Sequence, residues 1–225
     1  MNLNSDVGEG SAEEDGVLDC IDSANVACGV HAGSASVAIA TSRRCRDLGI
    51  EIGAHPGYDD REGFGRVEMS LSVDEIEALI DFQVAALAAV VPLAYIKAHG
   101  ALYHRCQTDA AAADALARVG RKHGVGLMGQ PGFEIVAAAG RAGLPAFREG
   151  FADRLTLPDG RLAPRGRPGA VLDAPAAARQ AVELARSGSV DTICVHGDTS
   201  GAARIAAAVR SALREAGIET AHLHA

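Results

Sequence analysis

Four histidines stand where strand-like apolar runs give way to turn residues: His31 in NVACGVHAG, His55 in IEIGAHPG, His99 in AYIKAHGA and His196 in TICVHGD. Each run is rich in Val, Ile or Ala, about strand length and closed by glycine, the composition of a buried parallel strand. Loops at the carboxyl ends of such strands converge on one crevice, so the four imidazoles are expected to meet there. Imidazoles gathered in this way work as general acids and bases or as metal ligands.

Charged residues accompany them. The first loop, NSDVGE, places Asp6 and Glu9 after the first strand, where a carboxylate can ligate a metal, act as general base or position an ammonium. The plain alternative is an Asp-Gly turn with solvated charges, but histidines at neighbouring strand ends favour a functional Asp6. Lys97 lies two residues before His99 and shares its side of the strand; a lysine pointing into a barrel mouth is costly unless paired. The catalytic candidates are therefore Asp6, His31, His55, Lys97, His99 and His196. Candidates for holding substrate or phosphate are Asn4, Glu9, Arg66, Tyr103, Asp153, Arg154 and Asp198.

Each of these has a plainer reading beside it. Arg66, like Arg61, belongs to the glycine-rich loop HPGYDDREGFGR, which suits a carboxylate or phosphate, though Arg61 equally suits solvent. Tyr103 reaches the same space or packs. Asp153 and Arg154 bind a ligand or pair with each other, and Asp198 binds or caps the following helix. One Asp with two or three His resembles a hydrolytic zinc site, with Asp6, His31 and His55 as metal candidates. Their spacing matches neither HxH nor HExxH; the one HxH, His222 and His224, is read as a solvated tail. Cys28 and Cys194, close to His31 and His196, are read as facing away from the site, and Gln83 as structural. There is no P-loop, and GVGLMG fits G-x-G-x-x-G by letters only, because its middle is itself a strand.

These residues need a frame that brings distant strand ends together. Strand-like runs alternate with helical periodicity along the whole chain, for six or seven β–α units. Helices are expected over residues 35–48, from Ser72 through a capping box with Glu75, and near 110–122, 133–142, 175–186 and 202–216. Residues 151–172, with three prolines, read as a long loop or short hairpin. No linker interrupts the alternation, so residues 1–225 are expected to form one domain. The fold class is α/β, an irregular (β/α) barrel of about seven strands, because functional residues end nearly every strand.

Composition excludes several classes. A net charge of −8 disfavours a nucleic-acid partner, which needs a basic field. The longest apolar stretch, Val84 to Ile96, contains Pro92 and is too short to span a bilayer, and the polar start is no secretory signal. Five scattered cysteines read as reduced thiols in a cytoplasmic protein.

Six blocks in order, LNSDVGE, SANVACGVHAG, GAHPGYDD-x-x-GFGR, KAHGALYH, FADR and TICVHGD, resemble the LamB/YcsF family, the A-subunit family of bacterial 5-oxoprolinase. The resemblance implies a barrel akin to the glycoside hydrolase/deacetylase folds. It also implies opening of 5-oxo-L-proline to L-glutamate with hydrolysis of ATP to ADP and phosphate, Mg2+ accompanying the ATP, in a complex with subunits B and C. Ala98, His104, Ser34, Val67 and Thr156 depart from the family's pattern, and Ser34 removes a carboxylate. Under this reading Lys97, Arg66 and Arg154 meet phosphate and substrate carboxylate, while Asp6 and the four histidines supply base and acid. Two other readings stay open: a stand-alone metal-dependent deacetylase or amidohydrolase using Asp6 and two histidines, and a non-catalytic substrate-binding subunit.

Overall fold

The computed structural model describes residues 1–224. Seven runs form strands: β1 (Asn2–Val7), β2 (Ser23–Ala27), β3 (Glu51–His55), β4 (Tyr95–Ile96), β5 (Gly126–Gly129), β6 (Ala146–Phe151) and β7 (Thr192–His196). Each pairs in parallel with the next and β7 closes on β1, giving a seven-stranded barrel among the described residues. The helices α1 (Glu14–Leu18), α2 (Ala35–Asp47), α3 (Val73–Ala88), α4 (Gly100–Thr108), α5 (Ala110–His123), α6 (Glu134–Ala142), α7 (Ala174–Ser187) and α8 (Ala202–Glu215) supply the crossovers. The (β/α) barrel expected from the alternation is thus the fold observed.

Strand residues alternate between two environments, as the pleat requires. Leu3, Val7, Ile52, Ile96, Leu127 and Ile193 join the apolar core between strands and helices. The other face carries Asn2, Asn4 and Asp6 on β1, Ser23 and Asn25 on β2, and Thr192, Cys194 and His196 on β7, all buried. Polar groups cut off from water need partners, and these find one another across the barrel. Asn2 donates to Ser23 Oγ at 2.8 Å, Thr192 Oγ1 donates to Asn2 at 2.7 Å, and Asn4 donates to Thr192 at 2.7 Å. One rung higher, Asn25 donates to both Asn4 and Asp6 at 2.8 Å, and Tyr95 Oη donates to Asn25 at 2.8 Å. Gly53 makes the last contact possible, since a Cβ there would overlap the Tyr95 ring.

Several local outcomes differ from the sequence expectation. β4 has only two residues, yet Lys97 N donates to Ala54 O at 3.0 Å and His99 N to Pro56 O at 2.8 Å, continuing the β3 alignment to the site. α1 has no counterpart in that expectation; at five residues it has little intrinsic stability and leans on α8, where Gly201 N donates to Glu13 at 2.9 Å. α3 carries the expected capping box of Ser72 and Glu75. Residues 151–172 form a short hairpin through the bridges Arg154–Val171 and Thr156–Leu162. The tail is not simply solvated: His224 Nδ1 meets Glu51 Oε1 at 2.6 Å, and Leu223 N donates to Glu51 at 3.0 Å. No helix among the described residues is long and apolar enough to cross a membrane.

Two glycines separate these effects. Gly53→Ala pushes on the Tyr95 ring and is expected to cost about 1–3 kcal/mol, lowering Tm by several degrees. Gly140→Ala, inside α6 with open space around it, is expected to raise Tm slightly through about 0.5–1 kcal/mol of helix propensity. Thermal melts of both variants check the pair; equal shifts would contradict the packing described.

Candidate active site

Lys97 stands at the centre of the upper barrel, with its side chain 3% exposed. Its Nζ lies 2.9 Å from Asp6 Oδ1, 2.7 Å from Glu149 Oε1, 3.1 Å from Cys194 Sγ and 3.5 Å from Asn4 Oδ1. Burial opposes its charge, but the Asp6 and Glu149 carboxylates outweigh burial and hold the ammonium well above its ordinary range. Burial likewise pushes Asp6 up, and Lys97 with nearby histidines overcomes it, keeping this carboxyl well below the usual range. Glu149 is different: burial dominates and raises it despite Lys97. Tyr103 Oη donates to its second oxygen at 3.2 Å, so Tyr103 belongs to the site through Glu149.

Across from this group, Asp153 Oδ1 accepts from His196 Nδ1 at 2.9 Å. Asp153 also accepts from His196 N at 3.2 Å and from Thr199 Oγ1 at 3.4 Å, and the imidazole stacks on Phe151 with centroids 5.4 Å apart. A carboxylate can only accept, so Nδ1 carries the hydrogen and Nε2 faces the cleft, 4.0 Å from Asp6 Oδ2. Asp153 is therefore the orienting partner of His196, not of Arg154. Cys194 corrects the reading that it faces away: it lies two residues before His196, on the same strand face. Burial pushes its thiol well above the ordinary range, which leaves it a poor nucleophile. Burial likewise pushes the Cys28 thiol up, to about 12.

The other three histidines form a second cluster with Glu9. His31 and His99 stack with centroids 4.0 Å apart, and His55 meets His99 edge-on. Burial keeps these rings neutral: His31 is pushed down to about 3, His55 to about 4 and His99 well below its ordinary value. Burial raises the Glu9 carboxyl, and Asp6 and Asp198 add to the effect.

Above both clusters opens a cleft of about 620 Å³, reaching Asp6, Lys97, His99 and His196 at its floor. Arg66, Arg154, Arg161 and Arg165 line its mouth. Asp198 does not cap α8, where Gly201 holds that position; it accepts from Arg66 at 2.6 Å and from Arg165 at 2.9 Å. Arg154 donates to the Ala163 carbonyl at 2.6 Å and the Ala170 carbonyl at 3.3 Å, which fixes the hairpin beside the cleft. Arg61 is spent on the carbonyls of Gly29, Val30 and Gly33. Gln83 is structural as read, holding Gly57 through both its N–H and C=O. Ser34, in place of a carboxylate, caps α2 by accepting from Val37 N.

Glu149, Asn25, Arg161 and Arg165 were missed. Glu149 had a signal, a lone acid inside a strand two residues before Phe151; the arginines sit in a proline-rich loop whose path the sequence leaves open. Removing the central charge tests the arrangement. Lys97→Met leaves two buried carboxylates without a cation and is expected to cost about 3–5 kcal/mol at neutral pH. Asp6, depressed in the fold, stabilises it above the ordinary aspartate range, and that contribution is lost as pH falls. The gap between wild type and Lys97→Met in urea unfolding is therefore widest at pH 7 and narrows below about pH 4; a gap independent of pH would contradict the pairing.

The comparisons with known proteins bear on the family and the fold. Residues 1–225 match the LamB/YcsF family. The A subunit of 5-oxoprolinase from Chloroflexus aggregans is 42% identical, with 97% of this chain and 96% of that one covered. Its counterpart from Streptomyces griseus is 43% identical over 97% and 98% of the two chains. The crystal structure of a lactam utilization protein from Thermus thermophilus superposes with a TM-score of 0.89 at 35% identity, covering 98% of each chain. A family 4 carbohydrate esterase from Streptomyces lividans shares the fold alone, with a TM-score of 0.58 at 11% identity, covering 98% of this chain and 90% of that one. By its whole-length match and by these relatives, the chain belongs to the LamB/YcsF family.

Proposed function

We propose that this chain is the ring-opening subunit of an ATP-dependent 5-oxoprolinase, acting on 5-oxo-L-proline together with partner subunits B and C. The observation that carries the reading is that His196, held from behind by Asp153, shares one cleft floor with Asp6 and Lys97, backed by Glu149, in a cleft that four arginines also line. Relatives about 40% identical along nearly the whole chain are named as A subunits of 5-oxoprolinase, which supports it.

A five-membered lactam is an amide whose resonance must be broken before water attacks quickly. Transfer of the γ-phosphoryl of ATP, with Mg2+, to the lactam oxygen yields ADP and makes the ring carbon electrophilic. Arginines at the mouth, rather than a P-loop, are what this chain offers to phosphoryl oxygens and to the substrate carboxylate. Asp6 Oδ2 and His196 Nε2 then hold a water between them, as their 4.0 Å separation allows. His196 takes a proton as the water oxygen bonds to the ring carbon, and Asp153 stabilises the imidazolium. The same proton passes to the ring nitrogen as the C–N bond breaks, while the new hydroxyl gives its proton to Asp6 and becomes the carbonyl of an acyl phosphate. A second water hydrolyses that acyl phosphate, releasing phosphate and leaving glutamate. Lys97 fixes Asp6 in its ionised form and keeps its second oxygen free for the water.

Steady-state kinetics of glutamate release by the assembled complex tests these roles. Asp153→Asn and His196→Gln are each expected to lower kcat by about 10²–10⁴ while KM for 5-oxoproline changes little. Arg165→Ala is expected to raise KM more than it lowers kcat. Wild-type turnover in His196→Gln would overturn the assignment.

A further inference from the structure

The hydrogen bonds behind two rings of the Glu9 cluster decide where their lone pairs point. His55 Nδ1 donates to the Lys97 carbonyl at 2.7 Å, so the lone pair of that ring is on Nε2. His99 Nε2 donates to the Phe64 carbonyl at 2.8 Å, which leaves the lone pair on Nδ1. These two inner nitrogens stand 2.9 Å apart. Two lone pairs at that distance repel unless a cation lies between them. Glu9 Oε1 adds negative charge at the same point, 3.3 Å from His31 Nε2, 3.4 Å from His99 Nδ1 and 4.0 Å from His55 Nε2. His31 Nδ1 is buried with no hydrogen-bond partner; Glu9 is the polar contact of that ring, which otherwise packs against His99, His55 and Phe64.

We propose that Glu9 Oε1, His31 Nε2, His55 Nε2 and His99 Nδ1 bind one divalent transition-metal ion of the zinc class. Donors about 2.0–2.1 Å from a tetrahedral ion lie roughly 3.3 Å from one another. Four of the six separations run from 2.9 to 4.0 Å and bracket that value, and the whole set of donors lies within 4.8 Å. Backbone carbonyls behind His55 and His99 orient these rings as outer partners orient metal-bound imidazoles. Asp6, the carboxylate expected as ligand from the sequence, is engaged through Oδ1 with Lys97 and Asn25, and Glu9 takes that place. The four donors follow or end β1, β2, β3 and β4, so the ion ties four loops together along one wall of the cleft. Four protein donors complete a tetrahedral shell, which suits a structural ion, once the His31 ring turns out of its parallel stack on His99 to aim its in-plane lone pair at the ion. The inference stands apart from the ring-opening reading, because binding is measured without substrate.

Zinc is titrated calorimetrically into the full chain after chelator treatment, and the metal content of untreated protein is measured in parallel. One zinc per chain is expected. His99→Ala and Glu9→Gln should each weaken binding by about 100-fold or more. Cys194→Ser, altering the separate group of Asp6, Cys194 and His196, should bind as wild type does. Cobalt added to the wild-type chain should give the intense visible bands of a four-coordinate ion, a readout that needs no variant to fold. No stoichiometric zinc and no such bands in wild type would overturn the proposal and leave a shared proton between the rings. Unchanged binding in a folded His99→Ala, or loss in Cys194→Ser alone, would also overturn it.

Discussion

An ammonium in the dry interior of a barrel is the constraint around which the site is organised. Lys97 gives up nearly all of its hydration, and a lone buried charge would be expelled or neutralised. Asp6 and Glu149 supply the opposing charge within 3 Å, and Asn4 and Cys194 occupy remaining directions. Two carboxylates around one cation cannot be equivalent, and the fold resolves this by ionising Asp6 firmly while burial raises Glu149. One oxygen of Asp6 is thereby immobilised and the other left facing the cleft, which is how a structural charge pair becomes part of a reactive surface.

The polar interior follows from the same requirement. A barrel packed with branched apolar side chains could not hold a lysine at its upper end. Here the ladder from Asn2 and Thr192 through Asn4 and Asn25 passes hydrogen bonds upward to Asp6, and each buried polar rung is satisfied by the next. Tyr95 crosses the space that Gly53 leaves and closes the ladder on the far side. Most apolar packing lies in the shell between strands and helices, with a separate small cluster of Tyr95, Met128 and Phe147, so the outer faces of the strands carry most of the stability and the upper inner faces the chemistry.

Much of this was legible in the residues. Histidines at strand ends, with Lys97 two positions before His99, predicted both a barrel and a shared crevice, because side chains two apart share a strand face. The same rule applied to β6 and β7 would have found Glu149 and Cys194. Glu149 stands within β6, away from the turn residues that flag a strand end, and Cys194 lies two residues before His196 and so shares its face of β7. The pairing of Asp153 with His196 rather than Arg154, and of Asp198 with Arg66 and Arg165, depends on loops 33 to 132 residues apart in sequence. No local pattern encodes such contacts. The division of the histidines into an Asp153-held one and a Glu9-centred three is likewise a product of tertiary geometry.

The most direct test of the account is glutamate release from 5-oxoproline and ATP by subunits B and C, measured with and without this chain. The account predicts release that requires the chain, with ADP and phosphate formed alongside glutamate. Release at the same rate when the chain is omitted would contradict it and remove the ring-opening role from this barrel.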